Sequence, residues 1–422
     1  MNKKQRINTL QNLTILVLLA SAVFLISRLP MFRISWAPRM QQLLTPSATG
    51  TDYNAPADLD SVMAAVHLAV MGNAEYGRHT QYSAEVGGDS VSQIRPLFRE
   101  AMGSAESLGT AGDERLQQAL LTPSLCLDLT RELPIAAAAF WLGENVEISG
   151  SVRSMALTTE EDTAALYLWD SRGLINHFST ALPSSAVEEL ALTFAPNGGS
   201  FGFESGFDGL APYTILVSEP ASVRAAWSAL PDGYSAYNLL AALEFNPHTN
   251  SRYFESSGTE VVEVPSGSVR ISQDGTTHYS GEPENASALF RPAIAGQQAT
   301  AVEALDAARK LAAALSAGTN ASPLYLADMS GSAGSWRITF RYQVDGIPVL
   351  MSSGEDALTV SMEGNAITAF AYHCRTYTGA EETATLLPPT MAAAIAAQKG
   401  GSGLSLCYVD SGAEVSARWV AQ

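Results

Sequence analysis

The chain has 422 residues with 42 acidic and 24 basic side chains, which gives a formal net charge of −18. Six of the basic residues lie in the first 50 positions, which contain no acid, so the rest of the chain holds 18 basic against 42 acidic residues, a net charge of −24. This acidic body excludes nucleic acid and anionic lipid headgroups as electrostatic partners. The chain is long enough for two or three domains.

An apolar stretch follows the basic start of the chain. Residues 10–30 contain no Asp, Glu or Lys, and a helix of this length crosses a hydrocarbon core of about 30 Å. The pattern predicts a cytoplasmic leader over 1–9 and a transmembrane anchor over 10–30. The predicted localisation is therefore the cell membrane, as a single-pass protein with a cytoplasmic N-terminus and an extracellular body. The alternative is a cleaved signal peptide, because Ala20-Ser21-Ala22 has the form of a cleavage site.

Four residues of the predicted anchor are small or weakly polar: Thr14, Ala20, Ser21 and Ser27. Such residues let membrane helices approach closely and form hydrogen bonds across their interface. We predict them as partner-binding residues, and the alternative is that they are ordinary anchor composition.

A segment rich in Pro, Ser and Thr over 31–57 predicts a stalk. The first domain is predicted over 58–150, where apolar spacing indicates mostly helices. Its predicted elements are helices over 58–71, 92–102, 113–121 and 133–142 and a strand over 125–129.

The middle domain is predicted over 151–283. Ser185 and Glu188 form a capping box that starts a helix, and Asp274-Gly275 between alternating runs predicts a hairpin over 268–279. The other predicted elements are strands over 151–158, 164–170, 174–178, 201–204, 213–218 and 259–264 and a helix over 235–245.

The third domain is predicted over 284–422. Thr300 and Glu303 form a capping box for a helix that is predicted to end at Gly318. The alternation from Trp336 to Val344 predicts a half-buried antiparallel strand, with Arg337, Thr339, Arg341 and Gln343 facing water. The remaining predicted elements are strands over 347–351, 357–362, 366–372, 404–409 and 414–420 and a helix over 390–399.

These elements predict an α+β fold class. The expected architecture is an N-terminal transmembrane helix followed by two or three α+β domains, each with an antiparallel sheet and helices packed on one face.

The segments WRITFRYQVDGIPVL, over 336–350, and LTVSMEGNAITAF, over 358–370, resemble the sheet of PepSY-like domains. They are similar to the C-terminal part of YycH and YycI, which are membrane-tethered accessory regulators of a two-component kinase for the cell wall in Gram-positive bacteria. The resemblance implies a non-enzymatic extracytoplasmic protein without a cofactor. It also implies a sensor histidine kinase and a paralogous accessory protein as partners.

One literal catalytic motif occurs at Gly198–Gly202, which fits G-x-S-x-G around Ser200. A nucleophile elbow needs a strand before the serine and a helix after it, and this sequence predicts the reverse order. The six histidines show no spacing typical of a metal site. Three cysteines, at 126, 374 and 407, are too few for a disulfide framework. We therefore predict no catalytic or metal-binding residue.

The favoured function is modulation of a sensor histidine kinase through protein–protein contacts. The alternatives are an exported hydrolase and a peptide-binding or protease-inhibiting PepSY-type module.

Overall fold

A computed structural model describes residues 66–75, 78–84, 88–216, 223–292, 296–332, 334–399, 403–412 and 414–421. These residues belong to one compact unit that spans residues 53–422. The predicted leader, the predicted stalk and the predicted anchor with Thr14, Ala20, Ser21 and Ser27 lie outside the described residues.

The α-helices of the described residues are α1 Gly88–Gly103, α2 Asp113–Leu120, α3 Ile135–Leu142, α4 Ser184–Ala191, α5 Ala236–Ala242, α6 Ala301–Thr319 and α7 Pro389–Gln398. The strands of the first half are β1 His67–Glu75, β2 Arg78–Ala84, β3 Glu106–Ala111, β4 Ser124–Pro134, β5 Ser151–Glu160, β6 Thr163–Trp169, β7 Ile175–Pro183, β8 Ser200–Phe201, β9 Ile215–Leu216 and β10 Arg224–Ala229. The later strands are β11 Arg252–Phe254, β12 Glu260–Val264, β13 Gly267–Ile271, β14 Thr276–Gly281, β15 Leu324–Ser332, β16 Ser335–Val344, β17 Ile347–Met351, β18 Leu358–Glu363, β19 Ala366–His373, β20 Thr376–Thr383, β21 Leu404–Asp410 and β22 Val415–Ala421.

The first seven strands form one antiparallel sheet in the order β2-β1-β4-β5-β6-β7-β3. Its central strands are apolar at both odd and even positions, so both faces of this sheet are buried. On one face, Leu125 and Leu157 pack with helices α1, α3 and α4. On the other face, Cys126 and Ala156 pack with Leu116 of α2.

The larger sheet has thirteen strands. Its order is β11-β12-β13-β14-β19-β18-β16-β17-β21-β22-β10-β20, and β15 also pairs with β16. Helix α6 lies on one face, where Leu305, Leu311 and Leu315 join a core with Ile338 and Phe340 of β16. The β17–β21 pair is parallel, and the other ladders of this sheet are antiparallel.

The predicted α+β class with helices on one face of each sheet is wrong. The structure is 42% strand and 26% helix, and large multi-stranded sheets dominate it. One reason is the segment predicted as a helix over 58–71, whose described part from His67 onward belongs to β1. The apolar residues Val62, Val66 and Val70 are spaced by four, and this spacing suits one face of a helix and one face of a strand equally.

The prediction of a single-pass protein of the cell membrane is not retained. Among the described residues, none of the helices combines the length and the apolar character that crossing a membrane requires. Helix α6 has 19 residues, but it carries Glu303, Asp306, Arg309 and Lys310. The predicted transmembrane stretch itself lies outside the described residues.

Ladders cross both of the predicted domain boundaries. Strand β4 ends before residue 150 and pairs with β5, which begins after it. Strand β14 ends before residue 284 and pairs with β19. In addition, β10 lies between β20 and β22 in the large sheet. The predicted boundaries near residues 150 and 284 therefore each fall within a sheet and not between two sheets.

Helix α6 begins as predicted and ends later than predicted. Thr300 and Glu303 make the reciprocal bonds of a capping box. Gly318 is not the C-cap, because the helix continues to Thr319 and ends at Asn320 in the left-handed conformation. A Cβ on Gly318 would lie 2.3 Å from Cβ of Ala242 on α5. The glycine therefore serves the close approach of two helices.

Candidate functional site

The outer face of the large sheet carries a groove, which we call the sheet groove. Strand alternation directs the bulky side chains of β14, β18 and β19 into the core and leaves short ones outside. The hollow above them has a volume of about 530 Å³. Two rows of cross-strand neighbours form its floor: Ser280, Ala369 and Ser361 in one row, and His278, Ala371 and Thr359 in the other.

A second hollow of about 390 Å³ continues the sheet groove. The two hollows share His278, Glu355 and His373, so they adjoin. The second hollow is bounded by the loop after β17 and by the turn between β21 and β22. The groove is therefore longer than either hollow and runs across several strands.

The loop that borders the groove is held at both ends. The backbone N–H of Ser352 donates to the carbonyl oxygen of Asp410 at 2.8 Å, and the N–H of His373 donates to the carbonyl oxygen of Ala357 at 2.8 Å. Between these bonds, Arg341 Nε donates to the Asp356 carboxylate at 2.7 Å. These contacts fix the position of the border before any ligand binds, which lowers the entropy cost of binding.

The shared part of the groove combines two imidazoles with a carboxylate. His373 Nε2 lies 3.7 Å from Glu355 Oε2, and His373 Nδ1 lies 3.4 Å from Thr276 Oγ1. Burial lowers the pKa of His373, and the Glu355 charge opposes this effect. The imidazole is therefore neutral at pH 7. The Glu355 side chain is 60% exposed, which leaves its carboxylate accessible to a cation.

A smaller cavity lies between the two large sheets, and we call it the junction pocket. Its volume is about 290 Å³. Strand β4 forms one side, and strands β15, β16, β17 and β21 form the other. Both sheets therefore contribute to this cavity.

A bulge in β4 brings Arg131 to the junction pocket. The β4–β5 register shifts between Asp128 and Leu133, and Thr130 has a φ of 58°, in the left-handed region. Arg131 Nε donates to the carbonyl oxygen of Leu129 at 2.6 Å, and its Nη1 donates to the carbonyl oxygen of Leu326 on β15. Burial lowers the Arg131 pKa to about 10, so the guanidinium stays charged at neutral pH.

Gln343 lies on the other side of the junction pocket. Only 8% of its surface is exposed, and its Oε1 is buried without a hydrogen-bond partner. Sequence alternation predicted that Gln343 and Thr339 face water, and this prediction is wrong because both are buried. Gln343 lies at the junction pocket, where His67, Thr130 and Arg131 of the first sheet line the same cavity.

A polar cluster lies on the first sheet, and its residues line neither the sheet groove nor the junction pocket. Tyr167 Oη donates to Glu160 at 2.5 Å, and Arg115 Nη2 donates to the same carboxylate at 3.2 Å. His177 stacks on Tyr167 with ring centroids 4.5 Å apart. Burial and the bond to Glu160 raise the Tyr167 pKa to about 12. We interpret this cluster as a structural network.

The structure explains the G-x-S-x-G match without catalysis. Ser200 begins the two-residue strand β8, and a 3₁₀ helix, Gly202–Glu204, follows. The strand predicted over 201–204 is therefore wrong beyond Phe201. A Cβ on Gly202 would lie 2.4 Å from the carbonyl oxygen of Ala211, so the glycine is required by packing. No long strand precedes Ser200 to form a nucleophile elbow.

Sequence reasoning missed Arg131 as a pocket residue. Its partner Leu326 lies 195 residues away in the chain, and no local pattern records such a contact. The available signal was a group of three charged residues, Asp128, Arg131 and Glu132, within the strand-like run of β4. Within the described residues, no cluster of His, Cys, Asp and Glu could hold a metal ion.

No family model matches the chain, and no curated protein or solved structure shows significant similarity to it. The resemblance to YycH and YycI therefore rests on the two quoted sequence segments alone.

Proposed function

We propose that the protein is a non-enzymatic regulator that binds an extended segment of another protein in the sheet groove. The observation that carries this proposal is the pair of adjoining hollows over a floor of short side chains. An extended segment needs a long, shallow site with polar groups along it, and this groove has both properties.

The charges along the groove favour a segment with basic side chains. Four carboxylates line the two hollows, those of Asp274, Glu355, Asp356 and Asp410, against the guanidinium groups of Arg337 and Arg375. Acidic groups are therefore in excess, and Asp274 and Glu355 are exposed. The net charge of the chain, −18, adds a long-range attraction for cations. Neutral His373 and the hydroxyls of Ser280 and Ser361 supply hydrogen-bond partners for a peptide backbone.

The sequence resemblance suggests which partners to test first. Accessory regulators of the YycH/YycI type act on a sensor histidine kinase together with a paralogous accessory protein. We propose the same class of partner for this chain, with the sheet groove as the contact surface.

The experiment measures binding of a fluorescent, extended, lysine-containing peptide to the full chain by anisotropy. A matched peptide with Glu in place of Lys reports the charge preference. Ala371→Trp fills the floor of the groove, and Ala229→Trp is the control because Ala229 is an exposed strand residue elsewhere in the same sheet. We expect Ala371→Trp to weaken binding of the lysine peptide by about tenfold or more, since one blocked subsite costs about 1.4 kcal/mol or more.

Equal binding by the two Trp variants, or no binding of either peptide to the unaltered chain, would contradict the proposal. A sensor-kinase fragment that binds the full chain should be displaced by the lysine peptide. If they stay bound, the kinase contact lies elsewhere on the protein.

A second mode of peptide binding has its own observation. Among the described residues, strand β11 is one of the edges of the large sheet, and its Tyr253 and Phe254 are 51% and 68% exposed. Edge strands accept an added strand. Replacing both aromatic residues by Ser should abolish binding in this mode and leave groove binding unchanged, so the same anisotropy assay separates the two.

A further inference from the structure

The junction pocket contains a hydrogen-bond acceptor whose partner is missing from the chain itself. Gln343 Oε1 is buried and accepts no hydrogen bond, although a buried amide oxygen normally has a partner. Leaving such a group unpaired costs stability. A ligand with an N–H group at this position would remove that cost.

The same pocket also contains two guanidinium groups. Arg131 and Arg341 both line it. Arg341 also pairs with Asp356 through Nε at 2.7 Å, and Arg131 is only 6% exposed. The Arg131 nitrogens already donate to Leu129, Leu326 and Thr130, so Arg131 contributes its positive charge. The two charges together favour an anion, and the planar donors of Arg341 suit a carboxylate.

One wall of the pocket is apolar, while His67, Thr130 and Ser405 add polar groups elsewhere in the lining. Ile347, Pro348 and Leu350 come from β17, and Leu406 and Val420 come from β21 and β22. A volume of about 290 Å³ is near the lower end for ligand pockets, which is about 300 Å³. The space therefore suits a single residue rather than a long segment.

We propose that the junction pocket binds a carboxylate with a neighbouring N–H group and an apolar side chain. In this arrangement the Nη groups of Arg341 donate to the carboxylate, and the positive charge of Arg131 attracts it. Gln343 Oε1 accepts the N–H, and the β17 wall packs on the side chain. A free amino acid and the C-terminal residue of a peptide share this chemistry. The proposal rests on the junction pocket and is independent of the sheet groove.

Five small probes, one of which is free leucine, test the proposal by calorimetry with the full chain. N-acetylleucine has all three features. N-acetylleucine amide lacks the carboxylate, and 4-methylpentanoate lacks the N–H. N-acetyl-Ala-Ala-Leu presents the same features at a peptide C-terminus. We expect N-acetylleucine and the tripeptide to bind, and each of the two incomplete probes to bind about tenfold more weakly or worse, since each lacks one polar interaction.

Comparison of leucine with the tripeptide then identifies the source. Tighter binding of leucine indicates a free amino acid, and tighter binding of the tripeptide indicates a peptide C-terminus. Absence of binding by N-acetylleucine, leucine and the tripeptide at millimolar concentration would overturn the proposal, and so would equal affinity for N-acetylleucine and its amide.

Gln343→Leu is the informative variant because it removes the unpaired oxygen and keeps the approximate size of the side chain. We expect this variant to fold with unchanged or higher thermal stability and to lose at least about tenfold in affinity for N-acetylleucine. Gln118→Leu is the matched control, because Gln118 is an exposed residue of α2 that does not line the pocket, and it should bind N-acetylleucine normally. Unchanged binding by Gln343→Leu would contradict the assigned role of the amide.

Discussion

The two large sheets differ in how they use their faces. The seven-stranded sheet buries both faces under helices and loops, and its central strands are apolar at consecutive positions. The thirteen-stranded sheet buries one face under α6 and exposes short polar side chains on the other. A face that is not needed for the core is free to carry a site. The sheet groove lies on such a face, whereas in the described part of the chain both faces of the first sheet are covered.

The largest expected effect is the loss of folding when Asp replaces a buried strand residue. We compare Asp substitutions at two consecutive positions in each sheet. In β5 of the first sheet, Ala156→Asp and Leu157→Asp should each prevent folding, because both residues are fully buried and burying a charge costs several kcal/mol. In β19 of the large sheet, Phe370→Asp should do the same. Ala369→Asp, by contrast, should change the free energy of unfolding by only about 1 kcal/mol.

Urea unfolding followed by circular dichroism measures all four variants. If Ala156→Asp is as stable as Ala369→Asp, the contrast between a doubly buried and a singly buried sheet is wrong.

A smaller effect is expected at the contact between α5 and α6, which belongs to the large-sheet region. Gly318→Ala adds a Cβ that would lie 2.3 Å from Cβ of Ala242. Helix propensity alone favours Ala over Gly by about 1 kcal/mol. Overpacking costs about 1–3 kcal/mol, so we expect net destabilisation of up to about 2 kcal/mol. Thermal unfolding of Gly318→Ala measures this, and Gly318→Ala combined with Ala242→Gly should recover the loss.

The smallest expected effect is the dependence of folding stability on pH, to which histidines in both sheets contribute. Burial lowers the pKa of His67 and of His177 in the first sheet, and also that of His373 in the groove. The unfolded chain therefore binds protons at a higher pH than the folded chain does. Stability is complete above the unfolded pKa of about 6.5 and falls as the pH decreases through it.

Chemical denaturation at several pH values between 8 and 5 checks the sign. We expect His67→Gln and His373→Gln each to flatten the decrease, because both side chains are 12% exposed and burial lowers the pKa of both. A decrease that is equally steep in His67→Gln and in the unaltered chain would show that His67 does not contribute.

Local sequence signals predicted some elements of both regions correctly. The alternation of Trp336, Ile338 and Phe340 gave the core face of β16, and Asp274-Gly275 gave the hairpin of β13 and β14. The capping box at Thr300 gave the start of α6. These signals depend on residues close together in sequence, and tertiary contacts do not change them.

The wrong predictions concern segments in which local spacing is ambiguous or in which contacts between distant parts of the sequence decide the structure. A spacing of four could not separate the helix predicted over 58–71 from strand β1. Gln343 was expected to face water, but it is buried at the junction pocket, which residues of both sheets line. Gly318 was read as a helix end, although it serves the contact with α5. The candidate sites depend on such long-range contacts, so neither the sheet groove nor the junction pocket could be predicted from the sequence.

The position of β10 in the large sheet has a consequence for synthesis. Ala226 pairs with Val415, and residues 224–229 of the same strand pair with residues 376–383. During translation, residues 224–229 must therefore wait for nearly two hundred further residues before both neighbours exist. Contacts of such long sequence separation slow folding and leave strand edges open in the meantime. We expect the nascent chain to need protection from a chaperone until β22 has left the ribosome.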